Sequence, residues 1–164
     1  MTPPVPARSP VSVRPAVNGD IARLAELLDG GAMTAKEDPG DLRPYAAALD
    51  EITATPGNTV LVAEVDGRVV GMYQLLIFRH LQERGGWCAE VESVHVDASV
   101  RSSGIGSAMM DDALARARRA GCYRLQLTSN VARPDAQRWY RRLGFVASHA
   151  GFKYYLRGDV PPPG

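Results

Sequence analysis

The sequence predicts a mixed β-sheet covered by helices, an α/β (α+β) fold, and three observations carry that prediction. Strand signals cluster in the middle of the chain, with helical periodicities before, between and after them. Two apolar runs flank Asp66-Gly67, a strong short-range hairpin signal. Residues 91–120 then read as a strand, a loop, a glycine-bearing turn and a long helix. At 164 residues the chain is most simply one domain, spanning 11–157 and long enough to bury a core. Seven of the twelve prolines lie in the first ten or last four residues, so 1–10 and 158–164 are expected to be disordered tails.

Val11-Ser12-Val13-Arg14 alternates as a first strand ending near Pro15. Asp20 is a candidate cap for a helix with Ile21, Leu24, Ala25 and Leu28 on one face and Gly30-Gly31 at its end. Residues 32–40 are loop-like. Leu42, Tyr45, Leu49 and Ile52 mark a second helix, with Pro44 tolerated in its first turn. Asp38, Asp41, Asp50 and Glu51 cluster around it and read as a solvated acidic face or a cation-attracting one. The hairpin pairs residues 59–65 with 68–78, whose run VVGMYQLLIF is apolar on both faces and therefore central. Residues 79–87, RHLQERGGW, read as a mobile polar loop.

Val91, Val94 and Val96 are the apolar positions of the next strand, but their parity changes between Val91 and Val94. Side chains alternate faces with period two, so the shift predicts a bulge. Arg101-Ser102-Ser103-Gly104-Ile105-Gly106 then leads into a helix carrying Met110, Ala113, Leu114 and Ala117. Amides at a helix start lack intrahelical partners and carry partial positive charge. Gly104 and Gly106 leave them uncovered and Arg101 adds a full charge, so this loop is a candidate pyrophosphate cradle. Gly121 ends the helix. Tyr123, Leu125 and Leu127 alternate against Arg124, Gln126 and Thr128 in a further strand. Pro134 opens a last helix with Ala136, Trp139, Tyr140 and Leu143, ended by Gly144. Residues 145–156 read as one or two closing strands. A dinucleotide-binding unit is disfavoured: the third glycine position is Met109, and no acid occurs from Ala113 to Pro134 for a ribose.

The Arg-x-x-Gly-x-Gly run after a Val-x-x-Val-x-Val strand resembles the acetyl-CoA site of the GNAT N-acetyltransferase superfamily. Asn130 and the block Trp139-Tyr140-Arg141-Arg142-Leu143-Gly144-Phe145 resemble that family's last block, and the likeness covers residues 58–156. It implies a mostly antiparallel sheet with a bulged central strand, flanked by about four helices. It also implies acetyl-CoA as cosubstrate, bound by main-chain groups of Val94, His95 and Val96, by Arg101, Ser102, Ser103, Gly104, Ile105, Gly106 and Ser107, and by Asn130 and Arg133. The leading acceptor class is a small-molecule primary amine, with acetylation of a protein N-terminus or lysine, acetylation of an aminoglycoside, and a non-catalytic acetyl-CoA-binding module as alternatives; in the family the first helix pair lines the acceptor pocket. Family members are frequently dimers, so a homodimer is a further expectation.

Acetyl transfer to an amine needs a base for the ammonium proton, a donor for the oxyanion and a proton for the leaving thiolate. Glu90 and Glu92 share a strand face just before the bulge and are the candidate bases. The resemblance gives the thiolate's proton to Tyr140, and unpaired amides near Val94 would hold the carbonyl. A covalent acetyl-cysteine route would need Cys88, with no histidine evidently paired to it. A narrower likeness to aminoalkylphosphonate N-acetyltransferases rests on His80, Ala89-Glu90-Val91, Arg133-Pro134-Asp135-Ala136 and Ser148-His149. It would bring His80 and His149 to the acceptor or a divalent metal, and Arg79 to a phosphonate. Spacing alone gives no metal site.

The net charge of +1 supplies no electrostatic argument for nucleic acid or membrane. Only Lys36 and Lys153 of the 19 basic residues are lysines. The two cysteines suit free thiols in a reducing cytoplasm, with Cys122 expected in the core. No apolar run approaches the ~20 residues of a membrane span, and MTPPVPARSPV lacks a signal peptide's apolar segment.

Overall fold

The computed structural model describes residues 10–30 and 40–156. They fall into two compact units, Met1–Gln126 and Leu127–Gly164. In the first, five strands stand in the order β1-β2-β3-β4-β5: Ser12–Pro15, Asn58–Val65, Arg68–Arg79, Trp87–Val96 and Cys122–Leu127. The first three neighbouring pairs are antiparallel. Arg124 reaches Cys88 and Gln126 reaches Glu90, so β4 and β5 rise together, as the helical crossover between them requires.

The hairpin forms where the sequence places it: Asp66 and Gly67 both take positive φ, the geometry of a two-residue turn whose twist matches the strands. The apolar run of β3 lies at the centre of the sheet, buried from both sides. On one face, α1 (Ile21–Gly30) and α2 (Arg43–Ala54) bury Ile21, Leu24, Leu27 and Leu49 against Val60, Val62, Val69 and Met72. On the other, α4 (Ile105–Arg119) contributes Ile105, Met109, Met110, Ala113 and Ala117, all buried. A Cβ on Gly71 would come within 2.8 Å of Met109 Sδ and 3.3 Å of Ile105 Cγ2, so the bare backbone there lets the first turns of α4 approach β3. Tyr73 is fully buried, and its hydroxyl donates to Asp112 on α4 at 2.5 Å. Arg116 donates to the same carboxylate at 2.6 Å, which completes the polar contact inside an apolar layer.

Four expectations change. Asp20 does not cap α1. It is the last residue of a 3-10 turn (Asn18–Asp20), and its carboxylate turns back to accept from the Val17 amide and the Arg14 guanidinium. The segment after β3 is less of a loop than its polarity suggests: β3 runs to Arg79, β4 begins at Trp87, and one turn, α3 (Gln82–Gly85), joins them. The thiol in the core is Cys88, with Cys122 only partly covered on the edge strand. In the second unit, which holds α5 (Pro134–Arg142), residues 145–156 contain no strand. Phe152, Tyr154 and Leu156 alternate as a strand would but are almost fully exposed. Gly31 and Asp38 lie outside the described residues.

Candidate active site

The site is built around β4. Its register with β3 pairs Glu90 with Leu76 and Glu92 with Gln74, then shifts to His95 with Met72 and Val96 with Gly71. One residue of β3, Tyr73, therefore faces two of β4, Ser93 and Val94: the bulge is present where the valine parity breaks. Ser93 takes φ +51, a left-handed conformation costing about 1–2 kcal/mol for a residue with a Cβ. The extra residue exchanges the faces. Before it the even positions, and after it the odd ones, share the face of Gln74 and Met72, so Glu90, Glu92 and His95 lie on one side of the sheet. Ala89, Val91 and Val96 turn to the side covered by α4.

That polar face continues into neighbouring strands. Gln126 on β5 donates to Glu90 Oε2 at 2.7 Å, and Gln74 on β3 donates to Asn58 on β2 at 2.8 Å. The Cys88 thiol lies 3.8 Å from Gln126 Oε1, and the Arg124 guanidinium approaches its sulfur at 3.4 Å. Cys88 is wholly buried, which argues against its being an acyl-accepting nucleophile. Glu90, Glu92 and His95 are half-buried, so their polar groups are oriented by protein yet reachable. Carboxylates in this setting suit proton abstraction from an ammonium.

Beyond β4 the chain is pinned before it enters the cradle. Asp97 accepts from the Ser99 hydroxyl at 2.7 Å and its amide at 2.8 Å, and pairs with Arg23 from α1 and with Arg68 at 3.2 Å. The Ser99 hydrogen bonds first, then Arg23, hold the Asp97 pKa down at about 2. Asp97 was not among the residues the sequence singles out, although Asp97-Ala98-Ser99 carries the spacing of a side chain capping a turn. Ser102 and Gly104 then take φ +65 and +92, and Ser103 is tied to the Val100 carbonyl. The first intrahelical bond of α4 runs from Ala108 N to Gly104 O, 3.0 Å, which leaves the amides up to Ser107 without a helical acceptor. Arg101 is exposed, with no hydrogen-bond or ion-pair partner among the described residues. The bare amides, the helix dipole and this guanidinium fit a diphosphate.

Arg79 ends β3 and His80 follows it, both in the first unit, whereas Asn130, Arg133, Tyr140 and His149 belong to the second. Asn130 Oδ1 accepts from Ala132 N at 2.8 Å, and its carbonyl accepts from Arg133 N and Gln137 Nε2, shaping the turn into α5. Arg133 is the residue preceding α5. Tyr140 packs on Trp139 at 4.7 Å between centroids and meets Phe145 edge-on at 5.7 Å. His149 Nδ1 lies 2.8 Å from Ser148 Oγ. Among the described residues no group of three His, Cys, Asp or Glu side chains is placed to hold a metal ion, and no helix is long and apolar enough to cross a membrane.

Known proteins share this organisation. The pattern of the Acetyltransferase (GNAT) family matches residues 25–145. The chain is 37% identical over 111 residues to the aminoalkylphosphonate N-acetyltransferase of Salmonella typhimurium, covering 66% of this chain and 71% of that protein. It is 30% identical over 115 residues to glucosamine 6-phosphate N-acetyltransferase 1 of Oryza sativa subsp. japonica, covering 68% of each. A crystal structure described as a transcriptional regulator from Bacillus halodurans C-125 superimposes with a TM-score of 0.84 at 34% identity, over 89% of this chain and 99% of that one. The chain belongs to the GNAT acetyltransferase family and is an N-acetyltransferase.

Proposed function

We propose that the chain transfers the acetyl group of acetyl-CoA to the primary amine of a small molecule bearing a phosphonate or phosphate, by direct attack in a ternary complex. One observation carries this reading: β4 presents Glu90, Glu92 and His95 on one face, bulges, and leads through the loop of residues 97–104 to a helix start with bare amides and an Arg101 unpaired among the described residues. The phospho group enters from the two relatives, whose names each join an amine to one.

Acetyl-CoA supplies the thioester; its diphosphate would lie on the amides of residues 104–107 with Arg101, and its arm along the main chain of Val94 to Val96. Glu90, steadied by Gln126, takes a proton from the acceptor ammonium, directly or through water, with Glu92 as the other candidate. The neutral amine forms the C–N bond, and an amide of the bulge near Val94 donates to the resulting oxyanion. When the C–S bond breaks, Tyr140 gives the thiolate its proton and is reprotonated by the second proton that the acylated nitrogen sheds, and Asn130 steadies the cofactor arm. The test is free-thiol release from acetyl-CoA across aminoalkylphosphonates, amino sugars and their phosphates, polyamines, amino acids, aminoglycosides and peptides, with and without divalent metal. Turnover confined to peptides would point to protein N-terminus or lysine acetylation. A regulatory acetyl-CoA-binding module is a second reading, favoured by the description of the Bacillus structure; acetyl-CoA binding with no turnover on any amine would select it.

A further inference from the structure

Acetyl transfer by direct attack uses no thiol of the protein, yet the Cys88 thiol lies beside the base. Cys88 pairs with Phe78 and Glu90 with Leu76, so both side chains leave β4 on the same face, roughly 7 Å apart along the strand. Cys88 is wholly buried, whereas Glu90 is half-buried and reachable. Gln126 on the neighbouring strand β5 spans the gap between them. Its Nε2 donates to Glu90 Oε2 at 2.7 Å, and its Oε1 lies 3.8 Å from Cys88 Sγ.

The donors in this row all point the same way. An ionised carboxylate only accepts, so the Gln126 amide turns its NH2 toward Glu90 and its oxygen toward Cys88. Among the described residues that oxygen has one donor, the thiol. Arg124, two residues earlier on β5, donates its Nε–H to Cys88 Sγ at 3.4 Å, so the sulfur accepts on that side and sends its own proton elsewhere. Two acceptors are within reach of that proton, Ala89 O at 3.7 Å and Gln126 Oε1 at 3.8 Å. The carbonyl belongs to an interior strand and has the sheet ladder to satisfy it. The amide oxygen has no such alternative. The order is therefore Arg124 N–H to sulfur, S–H to Gln126, and N–H to Glu90.

The last torsion of a glutamine is broad, so an amide held only at its nitrogen would swing and carry its N–H off the carboxylate. A donor on the oxygen and an acceptor on the nitrogen hold it at both ends. With Oε2 of Glu90 engaged by Gln126, Oε1 is the carboxylate oxygen left to meet an ammonium. A thiol is a weak donor, and its contribution here is direction more than strength.

We propose that Cys88 is a positioning residue: through Gln126 it fixes the Glu90 carboxylate with Oε1 presented to the acceptor amine. Cys88 forms no bond to the acetyl group. The assignment rests on Glu90 as the base of the acetyl-transfer reading, and deepens it by naming what aims that base.

The test is a double-mutant cycle between Cys88→Ala and Gln126→Met, with Cys88→Ser as the variant that keeps a donor. Each is read by single-turnover thiol release from acetyl-CoA, with 2-aminoethylphosphonate and glucosamine 6-phosphate as acceptors, and by a thermal melt. Cys88→Ala should lower the rate by about 3- to 10-fold with acetyl-CoA affinity unchanged, and Cys88→Ser should stay within about twofold of the native chain. In the Gln126→Met background Cys88→Ala should have no further effect on the rate, although it still lowers Tm. The Gln126 side-chain amide signal in a nitrogen–proton NMR spectrum, assigned by its loss in Gln126→Met, gives a readout independent of turnover. That signal should move toward a free carboxamide in Cys88→Ala and hold its place in Cys88→Ser. A native rate in Cys88→Ala, an equal loss with and without Gln126, or an amide signal indifferent to Cys88→Ala would overturn the proposal. If the native chain releases no thiol with either amine while the signal still follows Cys88, transfer to those amines is refuted and the positioning of Glu90 stands.

Discussion

Gly104→Ala separates the cradle's role in folding from its role in binding. Gly104 sits at φ +92 directly before α4, and a Cβ built on it meets no atom within 4 Å. The folded chain therefore feels only the backbone penalty of a left-handed alanine, about 1–2 kcal/mol. For a chain of this length that lowers Tm by about 2–8 °C. A diphosphate resting on the amides of the first turn would meet the methyl in that open space. Weakening one or two charge-assisted hydrogen bonds, at about 1.5–3 kcal/mol each, raises Kd for acetyl-CoA by tenfold or more. The assay is calorimetric titration with acetyl-CoA beside a thermal melt, with S-acetylpantetheine, which lacks the diphosphate, as the control ligand. A Tm drop of the stated size, a tenfold or greater loss of acetyl-CoA affinity and little change for S-acetylpantetheine are the expected results. An affinity within twofold of the native chain, with the Tm drop present, would show that the diphosphate does not lie on these amides.

Glu90→Gln keeps an oxygen for the Gln126 amide and should leave the fold unchanged while lowering kcat by about 10²–10⁴, whereas Tyr140→Phe should lower kcat with acetyl-CoA affinity intact. If single-turnover rates of both variants match the native rate, neither residue moves a proton in the reaction. Tyr73→Phe removes a buried hydroxyl that donates to the Asp112 carboxylate, and urea unfolding should report a loss of about 1.5–3 kcal/mol, since Arg116 still pairs with Asp112. A loss under 0.5 kcal/mol, on the order of a neutral surface change, would mean the bond is not made. The pH dependence of stability follows from Asp97, held at about 2, and from Asp20, held low by the Arg14 hydrogen bonds. Both pKa values are lowered on folding, so their contribution is complete above the unfolded carboxylate range near pH 4 and is lost as pH falls toward about 2. Melts between pH 5 and 2 should show that slope, and Asp97→Asn should flatten it; an equal slope in the variant would assign the acid limb to other groups.

The parts of the molecule legible in the sequence are those set by neighbours along the chain. Asp66-Gly67 forces the hairpin because the two-residue turn needs positive φ at both positions, and the valine parity exposes the bulge because alternation is a local rule. Glu90 and Glu92 could be put on one face for the same reason. Their surroundings could not. Gln126 reaches Glu90 only after the α4 crossover has fixed the register of β5, and Arg23 reaches Asp97 from a helix near the start of the chain. Neither contact has a signature in the residues beside it. The closing strands fail in the opposite way: residues 145–156 have strand-like alternation, but alternation specifies a strand only when an edge and an apolar face receive it, and Phe152, Tyr154 and Leu156 remain exposed. The sequence places Cys122 in the core, whereas it is only partly covered and Cys88 is the buried thiol, because burial depends on whether a strand is interior or at the edge, which a residue's own neighbours do not encode.

The bulge explains why one ten-residue strand can serve two purposes. Up to Glu92, even positions face the polar side and odd positions face α4; after Ser93 the assignment reverses. Without the extra residue, Val94 and Val96 would turn onto the polar side and His95 would turn under α4, against the turns that crowd Gly71. With it, both halves of β4 keep their apolar residues on the core and their titratable residues together. The register shift also opens the ladder opposite Tyr73, and that same Tyr73 hydroxyl is bonded to α4, the helix whose start forms the cradle. The unpaired backbone and the anion-binding amides are thus held by a common support, β3 against α4. Substitutions in that support, Gly71 and Tyr73 above all, would reach the chemistry without touching either substrate.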